Sequence, residues 1–252
     1  KLQATKRILD RLGLCVNTGS MQIYPFSHIR RILHLGLASC VLLSAFLVIS
    51  DDKNEPVSPD LSATNWKSLF DGKTLKGWKT TNFAGGGDAD VKNGSIEIDM
   101  GLALSGVQYT NQPPRINYEI TLEAMKRDGG DFFCGLTMPY KKEHCTFVCG
   151  GWGGGVVGLS SINGMDASEN QTTEFKKFEN NQWYRISLRV MDNRIQGWID
   201  QKLFLDVDTT DVSVGMRIGE IEESAPLGVA TWMTSSSLRD IRLRQVPAPD
   251  SK

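Results

Sequence analysis

An excess of charge is what this 252-residue chain most plainly lacks: 28 Lys and Arg stand against 29 Asp and Glu, for a formal net charge of −1. No basic stripe marks a nucleic-acid partner. A sustained helical period is also missing, apart from one turn expected around Thr172–Phe178, which argues against a helix bundle. No internal repeat appears, so a solenoid or propeller is excluded. The cysteines lack the second close pair that structural zinc sites use. The glycine-rich stretch "GGWGGGVVG" (Gly150–Gly158) has no Lys-Ser or Lys-Thr after it, so it is not a Walker loop. Gly153, Gly155 and Gly158 do fit G-x-G-x-x-G by spacing. A dinucleotide site needs a helix after that motif, and "VVGLSSINGMD" is β-branched and glycine-broken.

What is present begins with a segmented N-terminus. Arg30 and Arg31 precede an apolar run from Leu35 to Ile49, the order of a secretory signal or an uncleaved anchor. Met21 is the expected physiological start, with residues 1–20 an upstream extension, and "LASC" (Leu37–Cys40) is read as an accidental lipobox because the apolar run continues past it. Residues 1–50 are therefore assigned to extension and signal or anchor, and the polar, proline-bearing residues 51–65 to a linker. Secreted, periplasmic or cell-surface localisation follows, with membrane contact only through the N-terminal segment.

Residues 66–246 have the texture of a β protein, leaving 247–252 as a tail. "NYEITLEAM" alternates Tyr118, Ile120, Leu122 and Ala124 against Asn117, Glu119, Thr121 and Glu123. "WYRISLRVM" places Tyr184, Ile186, Leu188 and Val190 on one face. "RIQGWIDQKLFLDVD" reads as two strands, Arg194–Ile199 and Leu203–Val207, around a tight turn. Glycine, at 25 residues, favours many turns. Short strands punctuated by Gly, Asn and Asp predict an all-β antiparallel sandwich.

"WKSLFDGKTLKGWK" (Trp66–Lys79) resembles the opening of the 3-keto-disaccharide hydrolase domain family of exported bacterial proteins. "ADVKNGSIEID", "INYEITLEAMKRDGGDFFCGLTM", "NQWYRISLRVMDNRIQGWIDQKLFLD" and "PLGVATWMTSSSLRDIRLRQV" resemble its later segments in the same order. The resemblance implies a concanavalin-like jelly roll of two curved antiparallel sheets, with a concave face that meets carbohydrate. It also implies hydrolysis or elimination at oxidised (3-keto) glycosides. The family's acidic strand and His-Gly correspond here to "HCTFVCGGWGGG" and "LGVATWM", which hold neither an acid in the first place nor a histidine in the second. A non-catalytic carbohydrate-binding or adhesion module is therefore the alternative function.

Glycoside hydrolysis usually needs two carboxyl groups on one face. A 3-keto sugar needs only a base beside the ketone and something to hold the enolate oxygen, a metal or fixed donors. Asp131, Glu119 and Glu174 are the candidate catalytic residues. Glu119 and Glu123 share one strand face, which looks either into the cleft or out to solvent. Trp152, Asp166, His144 and Trp198 are candidate substrate contacts. Trp152, between glycines, is either a lid folded on the core or a stacking platform. His144, Cys145, Cys149 and Cys134 are the available soft ligands, but Cys145 and Cys149 on one strand stand roughly 13 Å apart, too far to share an ion. No cofactor is expected, although a divalent metal stays open with no motif behind it. A hairpin turning near Lys141–Lys142 sets Cys134 opposite Cys149, as a disulfide or as buried thiols. Asn170-Gln171-Thr172 is a glycosylation-type triplet of no expected consequence in a bacterial setting.

Overall fold

The computed structural model describes residues 55–248. The expected start at Met21, the apolar run Leu35–Ile49 and the last four residues lie outside them. The described chain opens with β1 (Lys67–Ser68), β2 (Trp78–Thr80), β3 (Ala89–Lys92), β4 (Ser95–Ile98) and β5 (Leu104–Tyr109). Its centre is β6 (Tyr118–Gly129), β7 (Cys134–Tyr140), β8 (Glu143–Gly150), β9 (Val156–Ser160) and β10 (Glu174–Phe175). It closes with β11 (Trp183–Val190), β12 (Arg194–Ile199), β13 (Lys202–Asp208), β14 (Gly228–Trp232) and β15 (Thr234–Gln245). Strand β10 stands where a helical turn was expected. Among the described residues no helix is long and apolar enough to cross a membrane.

These strands form two antiparallel sheets, as the alternating patterns predict. Sheet one runs β13-β12-β11-β6-β15-β4-β3, with β1 added on β15; sheet two runs β10-β9-β8-β7-β14-β5-β2. The order is that of a jelly-roll sandwich, because strands far apart in the chain are neighbours in each sheet: β6 lies between β11 and β15, and β14 between β7 and β5. In sheet one the inward row of β6 is Tyr118, Ile120, Leu122 and Ala124, all fully buried. Its neighbour β11 sets Leu188 opposite Ile120 and Ile186 opposite Leu122. In sheet two the inward rows are Leu136, Met138 and Tyr140 of β7 with Cys145, Phe147 and Cys149 of β8. The two sets meet face to face as one core.

Turn chemistry sets the registers. Asp200 and Gln201 both have positive φ, 51° and 72°, which joins β12 to β13 by a two-residue turn whose twist suits a hairpin. Lys141, at φ 49°, makes the β7–β8 turn and brings Cys134 opposite Cys149.

The outer face of sheet one is a lattice of arginines, carboxylates and indoles. Glu119 accepts hydrogen bonds from Arg189 Nε and Arg244 Nε, each at 2.6 Å. Glu123 pairs with Arg239 at 2.6 Å and Arg185 at 2.9 Å. Arg189, Arg239 and Arg244 lie over Trp198, Trp183 and Trp66 at 5.1, 4.0 and 4.6 Å from the ring centroids. The residues read as a linker cover part of this face: Trp198 Nε1 donates to the Pro56 carbonyl and Arg189 to that of Val57. Glu119 is 1% exposed as a result.

Truncating one member of so enclosed an ion cluster leaves the remaining charges unpaired, and that penalty exceeds whatever the pair contributes net. Glu119→Ala is expected to lower stability by about 3 kcal/mol, read as a fall in the urea midpoint with an unchanged slope.

Candidate functional site

The same alternation that buries the cysteines points the other half of sheet two outward. There stand Gly135 and Thr137 of β7, Thr146 and Val148 of β8, Gly106 of β5, Gly228 and Ala230 of β14, and Gly158 and Ser160 of β9. Small side chains make this face a floor rather than a ridge. A Cβ on Gly106 would stand 2.5 Å from the Val229 carbonyl oxygen, so that position has no room for a side chain. Thr137 and Thr146 join hydroxyls at 2.8 Å across the floor.

Over it lies a cavity of about 450 Å³. Leu104, Phe132, Val148 and Ile221 give it apolar walls, and Trp152 and Trp232 stand on its rim, 42% and 40% exposed. Asp131, Arg217, Glu220, Thr146 and Ser160 supply its polar atoms. A few polar groups in a largely apolar concavity is the usual make-up of a small-ligand site.

The glycine stretch forms the loop that carries Trp152. Gly150, Trp152 and Gly153 all adopt left-handed backbone, at φ 85°, 48° and 85°. Glycine takes this conformation freely, whereas for a tryptophan it costs about 1–2 kcal/mol. A carboxylate holds the loop in place: Asp131 Oδ2 accepts the Gly153 N–H at 2.8 Å, and Oδ1 accepts the Phe132 N–H at 2.8 Å. Asp131 is itself fixed by Thr234, whose Oγ1 accepts its N–H at 3.1 Å and donates to its carbonyl at 3.2 Å. Trp152 thus stands on the cavity rim instead of folding back on the core, and Asp131 fixes the loop that carries it.

Asp166 accepts hydrogen bonds from the Ser160 hydroxyl at 3.2 Å and Arg217 at 2.7 Å. It thereby sets the guanidinium at the cavity wall. Glu220 is the cavity carboxylate with no Arg partner and no backbone N–H among the described residues.

Four of the seven candidates fall elsewhere, with Glu123 beside one of them. Glu119 lies on the outer face of the other sheet, saturated by two arginines, so it is not a catalytic group of this cavity. Glu123 shares that face. Trp198 is there too, 1% exposed beneath Arg189, because the segment at Pro56–Val57 covers it. Glu174 stands exposed on the edge strand β10, outside the cavity lining. His144 does face outward on β8, but four residues from Val148, roughly 13 Å along the strand. It sits instead 3.5 Å from Arg115. Burial and then the Arg115 charge hold its pKa below the ordinary 6.5, with Glu143 opposing them.

The thiols of Cys134 and Cys149 are directly opposed, buried and unbonded; burial pushes both above the ordinary thiol range and keeps them protonated. Among the described residues no three His, Cys, Asp or Glu side chains stand close enough together to hold a metal. Strand β9 follows the glycine loop, so no helix end faces a phosphate there. The Asn170 amide is buried and donates to the carbonyls of Leu159, Met165 and Asp166, so it is a brace for its loop. Trp232, Arg217 and Glu220 were not anticipated. Trp232 was within reach, since it shares parity with Gly228 and Ala230. Arg217 and Glu220 sit in an aperiodic segment and carry no local signal.

The profile of the 3-keto-alpha-glucoside-1,2-lyase-like domain matches residues 65–244. No curated protein matches the chain significantly. Among solved structures, the carbohydrate-binding module CBM66 of Bacillus subtilis is similar at 11% identity and TM-score 0.46, over 67% of this chain and 96% of that one. Domain 4 of AbnA, a GH43 extracellular arabinanase of Geobacillus stearothermophilus, solved with arabinotriose, is similar at 12% identity and TM-score 0.48, over 77% and 96%. The Crh5 transglycosylase in complex with NAG is similar at 10% identity and TM-score 0.49, over 77% and 89%.

Two outcomes follow from the site's geometry. Asp131→Ala is expected to raise the hydrogen-exchange rate of the Gly153 amide at least 10-fold, since a hydrogen bond to a charged group is worth about 1.5–3 kcal/mol. Trp152 fluorescence should shift with it. A His144 pKa depressed in the folded state means that the unfolded chain binds the proton more tightly. Stability from this group is therefore fully present above pH 6.5 and declines as pH falls below it. His144→Gln should flatten that part of a urea-midpoint-against-pH curve.

Proposed function

The chain belongs to the 3-keto-alpha-glucoside-1,2-lyase-like domain family, and from that premise we propose that the cavity on sheet two binds a saccharide, a 3-keto-glycoside or its parent glycoside. One observation carries the reading: two half-exposed indoles, Trp152 and Trp232, rim a single concavity whose floor is built of glycines and small side chains. The C–H faces of a sugar ring pack on such indoles, and the ring's hydroxyls find Arg217, Glu220, Thr146 and Ser160. The floor residues leave space where larger side chains would fill it. Export of the domain belongs to the same proposal, supported by the basic-then-apolar order of Arg30, Arg31 and Leu35–Ile49.

A second reading, cleavage of a 3-keto-glycoside, is favoured by Glu220 and Arg217 facing the same cavity. The ketone at C3 acidifies the C2 proton. A free carboxylate takes that proton, the electron pair forms the C1–C2 double bond, and the C1–O bond breaks. The leaving alkoxide collects a proton from the acid so formed or from water. Arg217, set by Asp166, holds the enolate oxygen while the charge is present. Such a route needs one base, not the paired carboxylates of ordinary glycoside hydrolysis, and among the described residues no such pair free of other partners lines this cavity.

Calorimetry with methyl 3-keto-α-glucoside and methyl α-glucoside, together with chromatography of the products, separates the readings. Trp152→Ala and Trp232→Ala are each expected to weaken binding at least 10-fold, about 1.4 kcal/mol, with little change in melting temperature. Binding without release makes the domain a recognition module. Release that Glu220→Gln abolishes while binding persists makes it a lyase. Failure of the wild-type chain to bind either sugar sinks the proposal.

A further inference from the structure

The glycine loop borders a second concavity, shallow and about 430 Å³, lined by Lys126, Lys176, Lys177 and Phe175 together with Gly153–Gly155. Lys126 continues the inward row of β6 after Ile120, Leu122 and Ala124, a place where the pattern calls for an apolar residue. It is 9% exposed, and its Nζ lies 3.8 Å from where a Cβ on Gly154 would stand. The stem is therefore packed in the end of the sandwich, and the ammonium emerges under the glycine loop.

That ammonium has no ion-pair or hydrogen-bond partner among the described residues. The stem is buried but the ammonium reaches solvent, so it is free to pair with an anion from solution. Lys176 has no carboxylate partner either, its Nζ lying over the rings of Phe178 and Tyr184 at 5.6 and 5.2 Å. Lys177 is neutralised by Glu179 at 2.7 Å. Of the neighbouring acids, Glu174 stands exposed on β10, and Asp131 Oδ2 is engaged by the Gly153 N–H. Two ammonium groups are thus left without a counter-charge. Beside them Phe175 presents a ring that is 73% exposed.

We propose that this concavity is an anion subsite, taking an oxyanion substituent of a saccharide: the carboxylate of a uronic acid or a sulfate ester. Lys126 is the main contact, Lys176 the second, and Phe175 the face against which the substituted ring rests. Ammonium-to-oxyanion hydrogen bonds are charge-assisted and stronger than neutral ones, and a partly enclosed site screens them less than open surface would. The saccharide carrier rests on the reading of the first cavity; the anion contact rests on the lysines alone.

The test is a titration of the lysine ¹⁵Nζ resonances of the full chain with sodium glucuronate, sodium sulfate and glucose, at ionic strength held constant with sodium chloride. Saturable shifts of Lys126 with glucuronate and sulfate, and none with glucose, are expected. The larger of the two responses identifies the substituent. Lys126→Met, which keeps the packed stem, should reduce glucuronate affinity at least 10-fold, and Lys176→Met should reduce it by less. A response equal for glucose and glucuronate overturns the proposal. So does a linear, non-saturating drift, or an affinity unchanged in Lys126→Met. If the first cavity binds no neutral sugar while sulfate still moves Lys126 saturably, the saccharide reading falls and the anion subsite stands.

Discussion

Every strand of the sandwich obeys one constraint, that successive side chains point to opposite faces, so each residue is committed either to the core or to the surface behind it. In sheet two this divides β8 into Cys145, Phe147 and Cys149 inside and His144, Thr146 and Val148 outside. A tightly packed core and an open floor are therefore two readings of one stretch of chain. In sheet one the same rule sends Glu119 and Glu123 outward, where arginines from β11 and β15 enclose them. The two outer faces differ in consequence: one is saturated with charge and covered, the other is small-surfaced and open.

The open face acquires its distinctive rim through a local contest of energies. Left-handed backbone at Trp152 costs about 1–2 kcal/mol. The charge-assisted hydrogen bond from the Gly153 N–H to Asp131 returns about 1.5–3 kcal/mol, and glycines at 150 and 153 bear the neighbouring turns without strain. The balance favours a raised indole held from below. Asp131 does this as a positioning residue, which is why its oxygens face backbone N–H groups.

Much of this was legible in the chain and some was not, for identifiable reasons. The rows Tyr118–Ala124 and Tyr184–Val190 announced a half-buried antiparallel sheet, and the β7–β8 register that opposes Cys134 to Cys149 followed from a turn at Lys141. Alternation alone does not say which of two sheets carries the cavity. Glu119 and Trp198 were misplaced for that reason: both point outward, but from the sheet whose outer face is covered by charge and by the chain near Pro56. His144 lies on the right face and at the wrong end, a distance along the strand that pattern does not weigh against cavity position. Arg217 and Glu220 reach the cavity from an aperiodic segment between β13 and β14, and contacts of that range leave no trace in local spacing.

The six tryptophans divide by place: Trp78 is in the core, Trp152 and Trp232 rim the cavity proposed to bind a saccharide, and Trp66, Trp183 and Trp198 belong to the charged lattice of the other sheet. The most direct measurement follows the indole ¹H–¹⁵N resonances while methyl 3-keto-α-glucoside is added. Saturable shifts are expected at Trp152 and Trp232, with the three indoles on the outer face of sheet one unmoved. Shifts concentrated at Trp66, Trp183 or Trp198, or none at Trp152 and Trp232 when the sugar is bound, would contradict this division.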